Sequence, residues 1–69
     1  MTPTEYAAKY NLRATVAAYE LAMTENGFRK QQLHTKNRRQ PSTQTCRVAQ
    51  LLDFIRESGM VPPEPIFFD

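Results

Sequence analysis

The sequence predicts an all-α fold: a small domain over residues 1–61, followed by an extended proline-rich tail at 62–69. The domain has three helices, or four if residues 28–40 are helical. Three observations predict it. Thr2-Pro3-Thr4-Glu5 is a helix start signal. Apolar residues recur at three- and four-residue steps through two long stretches. Three of the five prolines, Pro62, Pro63 and Pro65, crowd the C-terminal end, where no helix can run through them.

The first helix opens on that signal. Thr2 can accept from the Glu5 amide while Glu5 reaches back to the Thr2 amide, and Pro3 takes the first helical position, where a missing N–H costs nothing. Tyr6 and Tyr10 form its apolar stripe. Leu12, Val16, Tyr19 and Met23 form a second stripe, displaced by roughly a third of a turn. The mismatch falls at Asn11, a poor helix-interior residue and a good cap. The expected division is therefore a helix over Pro3–Tyr10, a bend at Asn11, and a longer helix over Leu12–Glu25 closed by Asn26-Gly27.

Phe28–Gln40 reads as a helix with Arg29, Gln32, Lys36 and Arg39 on one face, or as an extended basic linker. Gln40 precedes a proline, which favours a break there. Pro41-Ser42-Thr43 supplies a turn with two candidate N-caps. The last helix is expected to turn Val48, Leu51, Leu52 and Ile55 to the core and Asp53 and Glu57 to water, with Phe54 on its flank and Gly59 as its stop. The tail is expected to run extended and to end in the apolar cluster Ile66, Phe67 and Phe68. No internal repeat is visible.

Size limits what such a chain can do. Sixty-nine residues make one domain at most, and a domain of this length buries only about 60% of its unfolded surface. Marginal stability, a homodimer, or folding on a partner are all consistent with so small a core. Cys46 is the only cysteine, which excludes an intrachain disulfide and points to a reducing, cytoplasmic location. No apolar run approaches the roughly 20 residues of a membrane span, and the first residues do not resemble a signal peptide.

Charge gives the best indication of function. Asn26 to Leu52 holds Arg29, Lys30, Lys36, Arg38, Arg39 and Arg47 with no Asp or Glu, while the segments before and after carry net −1 and −3. A positive block between acidic helices suits a polyanion. Lysine and arginine neutralise phosphates and release counterions. The interleaved amides Gln31, Gln32, Asn37, Gln40 and Gln44 are groups that contact phosphates or read adenine edges. The expected function is a small nucleic-acid-binding regulator, for DNA rather than RNA, with Arg29, Lys30, Lys36, Arg38 and Arg39 on phosphates and Gln32 and Asn37 toward bases. The bland alternative is a solvated charged face.

Enzymatic chemistry lacks its components. His34 is the sole histidine and is separated from Cys46 by an expected break, so a thiol–imidazole pair has little support. Asp53 and Glu57 share a face that should be solvated. No metal-ligand spacing and no glycine-rich phosphate loop occurs. No cofactor and no small-molecule substrate is therefore expected. A second reading is a protein-binding adaptor or inhibitor, which would use its helical faces, Phe54 and the aromatic end Ile66, Phe67 and Phe68.

Two resemblances accompany these readings. Ala7, Ala8, Asn11, Leu12, Thr15 and Val16 resemble a helix-turn-helix, with Asn11 where glycine is usual and Thr15-Val16 one residue early. Arg38-Arg39, Pro41-Ser42, Ile55-Arg56-Glu57-Ser58 and Pro62-Pro63 resemble the lambdoid phage excisionases, small winged-helix DNA-bending proteins. That likeness covers under half the chain, needs a gap, and stops where the wing would follow. Plain helix packing accounts for both sets of residues, and neither assigns a family.

Overall fold

The computed structural model describes residues 1–33 and 39–65. Among the described residues there are four helices and no strand: α1 Pro3–Lys9, α2 Ala14–Glu20, α3 Glu25–Gln31 and α4 Thr43–Glu57. The all-α expectation holds. So does the start of α1, where the Glu5 amide donates to Thr2 Oγ1 at 3.2 Å and the Thr2 amide to Glu5 Oε1 at 2.9 Å. Ser42 caps α4 by accepting from the Thr45 amide at 3.1 Å.

Three helices close in the same way. After α1, Asn11 takes a left-handed φ of 53°, and the Leu12 amide donates to the Ala7 carbonyl at 2.9 Å. After α4, Gly59 has φ 82° and the Met60 amide reaches the Ile55 carbonyl at 3.2 Å. These are Schellman closures, which satisfy the carbonyls a helix leaves open at its end. The third was not expected. Ala22 adopts φ 55°, and the Met23 amide donates to the Ala18 carbonyl at 2.9 Å, so α2 stops before the chain reaches Asn26-Gly27.

The Leu12–Glu25 helix is thereby corrected. Thr24 begins a new helix by accepting from the Gly27 amide at 3.0 Å. Gly27 serves this cap rather than a turn, because a Cβ there would lie 2.9 Å from Thr24 Oγ1. Ala22 is exposed and pays the left-handed penalty of an L-residue, about 1 kcal/mol or more. Ala22→Gly is therefore expected to stabilise the fold by roughly 0.5–1 kcal/mol, read as a higher urea midpoint at unchanged slope. A lower midpoint would contradict the left-handed closure.

A geometric repeat underlies a sequence that shows none. α1, α2 and α3 each span seven residues and begin eleven apart, at Pro3, Ala14 and Glu25. Their equivalent positions Tyr6, Ala17 and Phe28 all have zero exposure. These three share one core cluster with Ala7, Ala18, Leu21, Ala49 and Leu52, and Tyr6 and Phe28 are its largest fully buried side chains. α1 touches the other three helices, and α2 also packs on α3.

This packing keeps Leu12, Met23 and Leu52 on the core but turns the other half of each expected stripe outward. Val16 and Tyr19 on α2 are exposed, as are Val48 and Leu51 on α4, while the buried faces carry Ala17 and Ala18 or Ala49 and Leu52.

Asp53 is corrected too, since it is half-buried against α1 rather than in open water, while Glu57 stays exposed as expected. Lys9 Nζ lies 2.8 Å from Asp53 Oδ1 and also pairs with Glu57. The Tyr10 hydroxyl donates to Asp53 Oδ1 at 2.5 Å. The Lys9 contact, then the Tyr10 one, hold the Asp53 carboxyl below its usual range, and Asp53 and Glu57 in turn raise Lys9.

A second polar brace crosses the core edge. The Tyr6 hydroxyl donates to Glu20 Oε1 at 2.5 Å and accepts from Arg56 Nε at 2.7 Å, and Arg56 Nη2 meets Glu20 Oε2 at 2.5 Å. Burial first, then the Glu20 bond, pushes the Tyr6 hydroxyl up to about 12. These pairs fix α4 on α1 and on the end of α2, and so decide which face of α4 remains open.

Candidate functional site

The end of α3 is where the basic block acquires geometry. The carbonyls in the last turn of a helix have no intrahelical donor. The Lys30 carbonyl finds one across the chain: the Arg39 amide donates to it at 3.1 Å. Two cationic residues nine positions apart are thereby held side by side. Arg39, with Gln31, Gln40, Ser42 and Thr45, lines a cleft of about 290 Å³ between the end of α3 and the start of α4. A second cleft of about 310 Å³ runs on from it toward Thr2 and Thr4, sharing Gln31 and Gln40 and adding Gln32. Three amides and several hydroxyls thus border these clefts, with Arg39 on the first and the Lys30 backbone bonded to it.

Internal pairing decides which cations are available. Lys9 is held by Asp53 and Glu57, Arg56 by Glu20, and Arg29 by Glu25 at 2.6 Å. Among the described residues, no carboxylate lies within ion-pair distance of Lys30, Arg39 or Arg47. The Arg29–Glu25 pair has a simple cause: once α3 starts at Glu25, the two stand four apart, in the favourable order on one helical face. Glu25 borders the acid-free block in sequence and removes one of its charges in space.

The expected nucleic-acid residues divide accordingly. Lys30, Gln32 and Arg39 are exposed around the end of α3, and Arg29 is exposed but paired. Lys36, Asn37 and Arg38 lie outside the described residues, as does His34. Cys46 is a half-buried free thiol in the first turn of α4. Gln31 has its side-chain oxygen buried with no hydrogen-bond partner among the described residues.

Of the expected protein-contact residues, Phe54 is 71% exposed, and Ile66, Phe67 and Phe68 lie outside the described residues. Phe54 is not isolated. Leu51, 48% exposed, and Val48, 38% exposed, continue its face along α4, and Met60 and Val61 just beyond the helix are exposed as well. The periodicity that marked Val48 and Leu51 gave no sign of which way they point. Only the alanine at position 49, opposite them, indicates the core side.

Among the described residues no helix is long and apolar enough to cross a membrane, and no group of His, Cys, Asp and Glu could hold a metal ion. No protein-family model matches the chain, and no curated protein and no solved structure matches it.

Proposed function

We propose that this chain is a small nucleic-acid-binding regulator without enzymatic activity, favouring DNA over RNA, which seats backbone phosphates on Lys30 and Arg39. The observation that supports it most is the selective neutralisation of charge. Carboxylates occupy Lys9, Arg29 and Arg56; of the described cations left uncompensated, Arg13, Lys30, Arg39 and Arg47, two are joined by a backbone hydrogen bond, Lys30 and Arg39. Unpaired guanidinium and ammonium groups attract a polyanion; the Gln40 amide lines one cleft with Arg39, and Gln32 lines the adjoining one, as groups that accept and donate at phosphate, sugar or base edge. Arg29 contributes less than its sequence position suggests, since a nucleic acid must first compete with Glu25.

The test is anisotropy of a labelled DNA duplex against rising salt. Lys30→Gln with Arg39→Gln is expected to flatten the slope of log affinity against log salt by about 1.8, the value for two lost phosphate contacts. Lys30→Glu with Arg39→Glu is expected to weaken binding at low salt at least about 100-fold. Both side chains are exposed, and the bond that joins the two segments is made by backbone atoms, so the fold survives these changes. Undetectable wild-type binding at low ionic strength, or an unchanged slope in the double variant, would rule the proposal out. The protein-binding reading keeps one supporting observation, the open apolar face of α4.

A further inference from the structure

An apolar stripe on a folded surface is held in water at a cost of about 25 cal/mol per Å², and monomers seldom leave a long one uncovered. On α4 the stripe consists of Val48, Leu51 and Phe54, with half-buried Ile55 at its edge. The opposite side of the helix is committed to α1 through Ala49, Leu52, Asp53 and Arg56. Nothing among the described residues covers the outer side. Its surface is also shaped: Arg47, Gln50, Leu51 and Phe54 border a groove of about 410 Å³. Positions i, i+3, i+4 and i+7 of a helix are the four residues that form the hole into which a neighbouring helix inserts a side chain.

We infer that this face joins two copies of the chain, α4 lying antiparallel on the partner's α4 about a two-fold axis at Leu51. The spacing of the stripe is symmetric about that residue. In this register Leu51 meets the partner's Leu51, and Val48 meets the partner's Phe54, so each copy supplies what the other needs, as an isologous interface requires. The charges agree with the same register. Arg47 precedes Leu51 by four residues and Glu57 follows it by six, and both lie on one flank of the stripe. Reversal of the second helix brings Arg47 to within about 3 Å, along the axis, of the partner's Glu57.

Arg47 has no carboxylate partner among the described residues; its Nη1 donates only to Gln50 Oε1 at 3.0 Å. Glu57 meets Lys9 but keeps a 59% exposed side chain. A parallel pair would oppose Arg47 to Arg47 instead. With Met60 and Val61 included, each copy offers on the order of 500 Å² of apolar side chain, so the pair removes roughly 1,000 Å² from water, the lower edge for a specific interface. A weak, concentration-dependent dimer follows.

This inference is independent of the nucleic-acid reading, and sedimentation equilibrium of the full chain without nucleic acid tests it. The wild type is expected to dimerise reversibly in the range of roughly 10–100 μM. Leu51→Lys, at an exposed position, is expected to weaken association at least about 100-fold with the helical circular-dichroism signal retained. Arg47→Glu and Glu57→Arg are each expected to weaken it, and the two together to restore it, because the swapped charges face one another again.

A wild type that stays monomeric to roughly 1 mM, whether because the tail or a different protein covers the face, overturns the inference. So does a dimer that survives Leu51→Lys. Charge reversals that fail to compensate overturn the antiparallel register.

Discussion

Phe28→Ala is expected to leave the chain largely unfolded at 25 °C. Phe28 has zero exposure and shares the core with Tyr6, Ala17 and Leu21. Truncation of a buried phenylalanine costs about 3–5 kcal/mol, from lost transfer energy and the cavity that remains. The single core of a chain of 69 residues rarely supplies more than about 3–5 kcal/mol of net stability. One side chain therefore accounts for half or more of the margin. Urea unfolding followed by circular dichroism reads the effect as a midpoint near zero denaturant. Phe54→Ala is the matched control: at 71% exposure, it should stay within about 0.5 kcal/mol of wild type when measured in dilute solution. Equal costs for the two would show that the core has been placed on the wrong side of α4.

That contrast also shows what was readable from sequence. Elements announced by local chemistry were legible: the Thr2–Glu5 box, the Asn11 bend, the Ser42 cap and the Gly59 stop all depend on neighbours within a few residues. Ala22 carries no such signal. Alanine is the strongest helix former, so a left-handed alanine that ends a helix reads as more helix, and Asn26-Gly27 then attracts the closure that belongs five residues earlier. Facing was less legible still. Periodicity weights the bulky residues, but here the bulk of the core comes from Tyr6 and Phe28, and the helices beside them approach through alanine. Val16, Tyr19, Val48 and Leu51 are consequently left outside.

At the candidate site, the sequence showed that the block lacks acids but not how its charges are partitioned. Glu25 takes Arg29 only because α3 begins where it does, and Lys30 meets Arg39 only through a backbone bond across the segment between them. Both facts depend on the closure at Ala22. One unrecognised turn thus separates the charge pattern from the surface it forms.

The Tyr6–Glu20–Arg56 brace carries the other large effect. Removing one charge from this partly buried pair, 25% and 13% exposed at Arg56 and Glu20, strands the other beside the core. Arg56→Met is expected to cost about 2–4 kcal/mol, below the 3–5 kcal/mol of a fully buried pair because water still reaches the edge. Lysine at this position is not a substitute. The guanidinium bonds Glu20 and the Tyr6 hydroxyl at once, and it lies 5.9 Å and 5.4 Å from the Tyr6 and Tyr10 ring centres. Glu20→Met is expected to cost a similar amount. The double variant Glu20→Met with Arg56→Met should be more stable than either single one, since no charge is stranded and two flexible apolar chains replace the pair. What remains is an unsatisfied Tyr6 hydroxyl at about 1–2 kcal/mol, which Tyr6→Phe in the same background should recover. A cycle measured by urea unfolding would give a coupling of at least about 2 kcal/mol between positions 20 and 56. Additive losses would mean that the two side chains act separately, and that α4 is held on α1 by Ala49, Leu52 and the Asp53 contacts alone.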